Sequence, residues 1–444
     1  MVSTIRFLIV AAVMFSIISC GSVPYLEKSG HALIPPAEMD LSFDDYVAHS
    51  TAEIRTAMQG RQDPLVFQGS YSLDDAVSMR APYSIPVDST VCTGGTGGED
   101  KGFLLIHGLT DSPYLMKGLA NSMRKAYPCS TIRAIVLPGH STIPGDSNHS
   151  SDWDGSNDSQ LMTYKKWLKS TNFGIRSFDN KEHVKSLYVL TFSTGAPLLI
   201  QHLSKHKEEK LKGAVLISAA IKAKSKAAFL APLAQYIVPW STVYPEEDAV
   251  RYETFSTHAA AEFYWLTREL LEEEYRFKLP LFIAISADDN TVSAQAALRY
   301  FCAAETDSKQ MLWYQYASSE RPLNSYRLAS GPCGEDIIAR EIGKNGFELP
   351  SYYKSFSHTS LSVPESDPHY GKEGAYRQCK DYFKDDKLEK FEQCKDPDEA
   401  NYVIGETTER LYEENKGKRV RRGVYNPDYP YMEQQILEFI ESIR

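Results

Sequence analysis

The stretch Leu187-Tyr-Val-Leu-Thr-Phe-Ser193-Thr-Gly195-Ala-Pro-Leu-Leu-Ile200 sets an apolar run, a serine and a second apolar run in series, with glycine two residues past the serine. That pattern predicts strand, sharp turn and helix. A serine on such a turn is held clear of the sheet with its hydroxyl at the mouth of the helix, where it can act as a nucleophile. Glycine usually stands two residues before the serine as well; here that position is Thr191. Small residues are favoured on both sides because the strand and helix backbones approach closely. A serine in a strand-to-helix turn also serves as an N-cap, so this segment alone leaves both roles open.

A working serine needs a base, an acid that orients the base, and donors for an oxyanion. Upstream, the apolar run from Gly102 to Ile106 enters His107-Gly108-Leu109-Thr110-Asp111-Ser112-Pro113. Ser112 reads as a helix cap and Pro113 as a first-turn residue. Such a loop can aim the N–H of Leu109 at a developing oxyanion, and the N–H of Thr194 would be the second donor. Downstream, the apolar run Leu281–Ile285 ends in Ser286-Ala287-Asp288-Asp289, and Ser357-His358 follows later. The order is serine, aspartate, histidine.

Together these segments resemble the α/β-hydrolase superfamily, and within it the bacterial carboxylesterase and monoacylglycerol-lipase-like lipoproteins. The carriers are His107 to Pro113, Leu137-Pro138-Gly139-His140, the turn at Ser193, the strand end at Asp288-Asp289, and Ser357-His358. Thr191, and Ser141 after the Leu-Pro-Gly-His run, depart from the usual pattern. The resemblance covers about residues 85–444. It implies an α/β-hydrolase fold: a mainly parallel central sheet, helices on both faces and an inserted cap. It also implies acyl transfer, with Ser193 as nucleophile, His358 as base and Asp289 as the acid that fixes the imidazole tautomer. The amides of Leu109 and Thr194 would hold the oxyanion, and neither metal nor organic cofactor is needed. Asp289 is favoured because Ser286, Asp289 and Val292 match the family's spacing. Asp288 stays open, since adjacent strand residues face opposite ways; as a bystander it would be solvated or would cap the helix starting near Ser293. His107 would shape the oxyanion loop and His140 would make structural hydrogen bonds. The family places its cap where residues 221–276 fall, and the large apolar residues there, Trp240 and Trp265 among them, would suit an acyl pocket.

The N-terminus carries a second signal. Arg6 precedes an uncharged apolar run, Phe7 to Ile18, too short to span a bilayer. It ends in Ile17-Ile18-Ser19-Cys20-Gly21. Residues 1–19 read as a secretory signal peptide, and their end resembles the lipobox of bacterial lipoproteins. That resemblance implies lipid on Cys20 and anchoring in the cell envelope, with the outer membrane favoured because Gly21 is not the aspartate of inner-membrane retention. Residues 20–84 would then be a lipid-anchored tether and N-terminal extension with a short helix. The hydrolase domain would span 85–444, with the cap and further insertions at about 319–350 and 366–425.

Composition narrows the partners. A net charge of −10 argues against nucleic acid. The basic run Lys416-Gly-Lys418-Arg419-Val-Arg421-Arg422 reads as a solvated loop. Oligomeric state is left open. Besides Cys20, six cysteines permit disulfides in an exported chain; fifteen full pairings exist, and Cys379–Cys394 closes the loop most favoured here. Strands are expected at 102–107, 131–137, 186–192, 212–219, 280–287 and 311–317, separated mostly by helical patterns, which predicts a mainly parallel sheet covered on both faces. His202 and His206 share a helix face without a third ligand nearby, so a polar surface outweighs a metal pair. The substrate expected is a small-molecule or lipid ester. Thioester or peptide hydrolysis by the same chemistry, or a non-catalytic envelope protein binding lipid or protein, are the alternatives.

Overall fold

The computed structural model describes residues 26–443 apart from 30, 32, 34, 61–65, 88–89, 93–99, 149–161, 180, 182, 317–318, 320–321 and 384–387. The signal peptide and Cys20 lie outside the described residues. Strands β1 (Tyr83–Ile85), β2 (Lys101–Ile106), β3 (Thr131–Ile135), β4 (Ser186–Phe192), β5 (Leu211–Ile217), β8 (Leu281–Ser286), β9 (Lys309–Tyr316) and β10 (Ile337–Ile342) form one sheet. Their order is β1-β3-β2-β4-β5-β8-β9-β10. Only β1 runs antiparallel. The central strands are continuous apolar runs because both faces are covered: β8 is buried at every position, and β2 and β4 at all but the first.

One face carries the helices Phe43–Gln59, Tyr164–Arg176, Gly195–Lys205, Thr257–Glu273 and Ala294–Ala303. The other carries Lys117–Ala126 and Tyr429–Ser442. This is the expected α/β-hydrolase arrangement. From β2 the chain goes first to β3 on one side and then to β4 on the other. Ligand crevices of open α/β sheets form beyond the carboxyl ends of strands at such a reversal.

Three parts of the domain plan differ from the expectation. Part of the expected tether and extension belongs to the core: the helix Phe43–Gln59 buries Phe43, Tyr46, Ile54 and Met58 in the main core, and Val136 N–H donates to the Tyr46 hydroxyl at 2.9 Å. Burying side chains of this size stabilises by about 1.5–3 kcal/mol each, so a boundary at 85 divides one core. The insertion expected at 319–350 contributes β10, paired in parallel along β9. The cap expected over 221–276 also divides. Its second half, Thr257–Glu273, packs Ala259, Leu266 and Leu270 into the core, and Glu269 and Glu273 accept from Gln201 on the helix after β4. Its first half holds the short helix Ala231–Ala234 and the hairpin β6 (Trp240–Thr242) with β7 (Phe255–Ser256).

The disulfides join sequence neighbours: Cys92–Cys129, Cys302–Cys333 and Cys379–Cys394. The third lies beside a two-stranded parallel sheet, β11 (Tyr402–Gly405) with β12 (Arg419–Arg422). Here the basic run departs from a solvated loop: Arg421 is buried and donates to the carbonyls of Cys394 and Asp396. Among the described residues no helix is long and apolar enough to cross a membrane.

Candidate active site

Ser193 follows β4 directly and takes φ +52°, which costs a non-glycine residue about 1–3 kcal/mol unless its surroundings hold it. They do: Ser193 N–H donates to Ile217 O at 2.9 Å, and Ser193 O accepts from Ala196 and Ala220, each at 3.1 Å. Gly195 is required, because a Cβ there would sit 2.5 Å from the carbonyl oxygen of Ile106. Thr191 fits at the other position, fully buried, but its hydroxyl has no partner among the described residues.

The structure brings Ser193, His358 and Asp289 together. His358 Nε2 lies 2.9 Å from Ser193 Oγ, and Nδ1 lies 2.7 Å from Asp289 Oδ2. The other Asp289 oxygen accepts the N–H groups of Thr291 and Val292, each at 2.8 Å. With that buried carboxylate accepting at Nδ1, Nδ1 carries the proton and Nε2 is left to accept from the serine. Asp288 points elsewhere and is not solvated. It accepts from Ser319 Oγ at 2.9 Å and Arg410 Nη2 at 3.2 Å, and burial pushes its carboxyl up to about 6. Nor does it cap the next helix; Ser293 does, accepting from Ala296 N–H.

The oxyanion loop is set by His107. Its Nε2 accepts the N–H of Leu137 at 3.0 Å, so Nδ1 bears the proton and donates to Gly108 O at 2.8 Å. Burial, with His140 close by, holds its imidazole well below the ordinary range. Gly108 O and Leu109 N–H belong to one trans peptide, so drawing the oxygen toward His107 turns the N–H the other way. Among the described residues neither Leu109 N–H nor Thr194 N–H donates within the protein. His140 Nδ1 meets Pro138 O at 3.1 Å, and burial pushes that ring down to about 4.

Several residues here take roles that the sequence does not assign to them. Ser218 Oγ donates to His358 O at 2.8 Å and Ser286 Oγ to Phe356 O at 2.7 Å, fixing the histidine loop from the ends of β5 and β8. Asp111 sits in the loop that runs from His107 to Pro113. One point, where a Cβ on Gly108 would lie, is 2.7 Å from its Oδ2 and 2.8 Å from Ser193 Cβ. Its Oδ1 lies 3.6 Å from Arg251 Nη1, and Arg251 Nε donates to Asp248 at 3.2 Å. Asp248 in turn meets His369 and Tyr370. Burial pushes the Asp111 carboxyl up to about 6 against the pull of Arg251.

The remaining expected positions are described by contacts within their own segments. Trp265 is 38% exposed, with its ring against Tyr264 and Arg268. Trp240 is half-buried and pairs with Ser256 in the hairpin. His202 is buried against Glu208 at 2.8 Å with His206 stacked on it, and no metal-ligating cluster occurs among the described residues.

Residues 164–318 match the family model Hydrolase_4, described as serine aminopeptidase, S33. That segment holds Ser193 and Asp289; His358 lies beyond it. Similar solved structures include one from work on LipS and LipT, two metagenome-derived lipolytic enzymes, at 19% identity, covering 52% of this chain and 86% of that one with a TM-score of 0.41. A monoacylglycerol lipase of Paleococcus ferrophilus shows 16% identity over 53% and 88%, TM-score 0.39. A monoglyceride lipase variant of Saccharomyces cerevisiae shows 13% over 53% and 81%, TM-score 0.37. No curated protein matches the chain. The strand order around β4 and the strained turn that carries Ser193 are those of an α/β-hydrolase fold, and the match across β4 to β9 makes this part of the chain similar to the serine hydrolases of that family.

Proposed function

We propose that the chain hydrolyses carboxylic or acylglycerol esters through an acyl-enzyme on Ser193. The observation that carries this is the unbroken hydrogen-bond path from Asp289 through His358 to Ser193 Oγ. His358 takes the serine proton as Oγ attacks the ester carbonyl, and Asp289 stabilises the imidazolium. The amides of Leu109 and Thr194 receive the oxyanion, the alcohol leaves with the proton from His358, and water repeats the sequence to release the acid.

A lipid-borne ester is favoured by the surface of the cap's first half. Phe229, Leu230, Leu233, Tyr236, Ile237 and Val238 are all exposed, at 48–74%. From Ile221 to Pro245 there is no carboxylate and there are three lysines, in a chain of net charge −10. An exposed apolar cluster on this scale marks an interaction surface. Acylation of Cys20 would hold the enzyme at such an interface in the cell envelope.

Covalent labelling with a fluorophosphonate, followed by p-nitrophenyl esters of increasing chain length, tests the reading. Labelling at Ser193 and turnover of esters are expected; an unlabelled folded protein would leave a binding role. The similarity to the serine aminopeptidase family gives peptide hydrolysis a second place. Turnover of amino-acid p-nitroanilides exceeding that of esters would reverse the order.

A further inference from the structure

We propose that Glu406, gripped by Arg422, is a positioning residue for the triad, so that the insertion at 366–425 is a working part of the active site. The proposal rests on the roles assigned above to Ser193, His358 and Asp289. Glu406 is 1% exposed at the end of β11. Its Oε2 accepts the N–H of His358 at 3.1 Å and the N–H of Asn290, next to Asp289, at 3.4 Å. One carboxylate thus ties the loop of the base to the turn of the acid. Arg422, on β12, donates Nε to Oε1 at 2.8 Å and Nη2 to Oε2 at 3.1 Å. The same Nη2 reaches Thr291 Oγ1 at 2.9 Å, so the arginine also braces the acid turn.

The mount is rigid. Glu406 N–H donates to Ser355 Oγ at 2.8 Å, Ile404 N–H to Tyr352 O at 2.7 Å, and Lys354 N–H to Ile404 O at 2.7 Å. These bonds lash β11 to the segment that leads into His358. Gly405 permits the approach, since a Cβ there would lie 2.7 Å from Ser355 Oγ. A buried carboxylate with a bidentate arginine has a fixed plane, and that plane sets where two loops meet. The His358–Ser193 distance depends on both loops, and displacement of about 1 Å from a remote change costs about a hundredfold in rate.

Glu406→Gln tests this. The amide keeps the shape but turns an NH₂ toward a donor, either Arg422 or the two backbone N–H groups. Rates are taken per active site titrated to completion with a fluorophosphonate, so unfolded protein is not counted. We expect kcat to fall about 10- to 100-fold with KM within about twofold, and the downfield proton resonance of the His358–Asp289 bond to move or broaden. Asp428→Asn, which breaks a comparable carboxylate grip on Arg340, should leave both unchanged. If Glu406→Gln does not fold, Arg422→Lys keeps the charge but cannot span both carboxylate oxygens and Thr291, and a kcat loss of about threefold or more is expected. Per-site kcat within twofold of wild type and an unmoved resonance in the folded variant would overturn the proposal. A wild-type protein that takes no label overturns the triad reading and the clamp with it, whereas a labelled wild type beside an unimpaired variant overturns the clamp alone.

Discussion

Ser193, His358 and Asp289 meet at hydrogen-bond distance although 165 residues separate the first two. Three substitutions test their roles. Ser193→Ala should abolish ester turnover and fluorophosphonate labelling while the thermal midpoint stays near wild type, since alanine fits the same buried turn; near-normal turnover would remove the nucleophile assignment. Asp289→Asn should lower kcat by about four orders of magnitude, the size of the tautomer effect in the serine-protease template. Asp288→Asn should cost far less, because Asp288 answers to Ser319 and Arg410, not to His358. The opposite ranking in initial rates would exchange the two. Asp111 adds a pH signature. Its carboxyl, raised by burial from 3.8 to about 6, binds its proton more tightly folded than unfolded. That contribution to stability is complete below pH 4 and is lost as pH rises through 6. A shift of this size is worth about 3 kcal/mol. Thermal midpoints of Asp111→Asn should therefore fall less steeply than wild type between pH 4 and 7; parallel curves would show that Asp111 does not titrate there.

Elements that announce themselves locally were legible: an apolar run ending in a polar turn gives β2, β4 and β8 and sets the loops of His107, Ser193 and Asp289 at their carboxyl ends. Gly195 illustrates the tightness of that plan. Gly195→Ala would drive a methyl against the Ile106 carbonyl, and per-site kcat should drop about a hundredfold or more; a mild effect would mean the turn has slack. What stayed hidden depends on partners distant in sequence. β10 reads Ile-Ile-Ala-Arg-Glu-Ile at the sheet edge, a mixed pattern that only its pairing with β9 makes a strand. Arg421 and Arg422 look solvated in sequence because burial of a guanidinium depends on acceptors elsewhere, here the Cys394 carbonyl and Glu406. Glu406 lies 48 residues beyond His358, and no spacing rule links them. The same holds for residues 221–276, whose division into a docked helix and an exposed apolar segment no local pattern shows.

At the scale of the whole molecule the question is where the site sits relative to its substrate. The chain is fastened early: Ser29 N–H and Oγ donate to the two oxygens of Asp146, each at 2.8 Å, and Glu27 passes so close to Gly145 that any side chain there would strike its carbonyl. Ser29 lies nine positions after Cys20. At about 3.3–3.6 Å per residue when fully extended, that stretch can span at most roughly 30 Å. With lipid on Cys20, the folded domain would be confined to about one domain diameter from the bilayer, and the lysine-flanked apolar segment of the cap could meet that surface. Cys20→Ser should then release the protein into the soluble fraction. It should also slow hydrolysis of a long-chain ester held in vesicles while leaving kcat and KM on a soluble short-chain ester unchanged, because the triad does not depend on the anchor. Adding Leu233→Glu and Ile237→Glu to the released form should lower the vesicle rate further, since both side chains are more than 70% exposed and their only change is in affinity for an apolar surface. A Cys20→Ser protein that stays on membranes after a high-salt wash, or vesicle rates that ignore both changes, would place the substrate in solution.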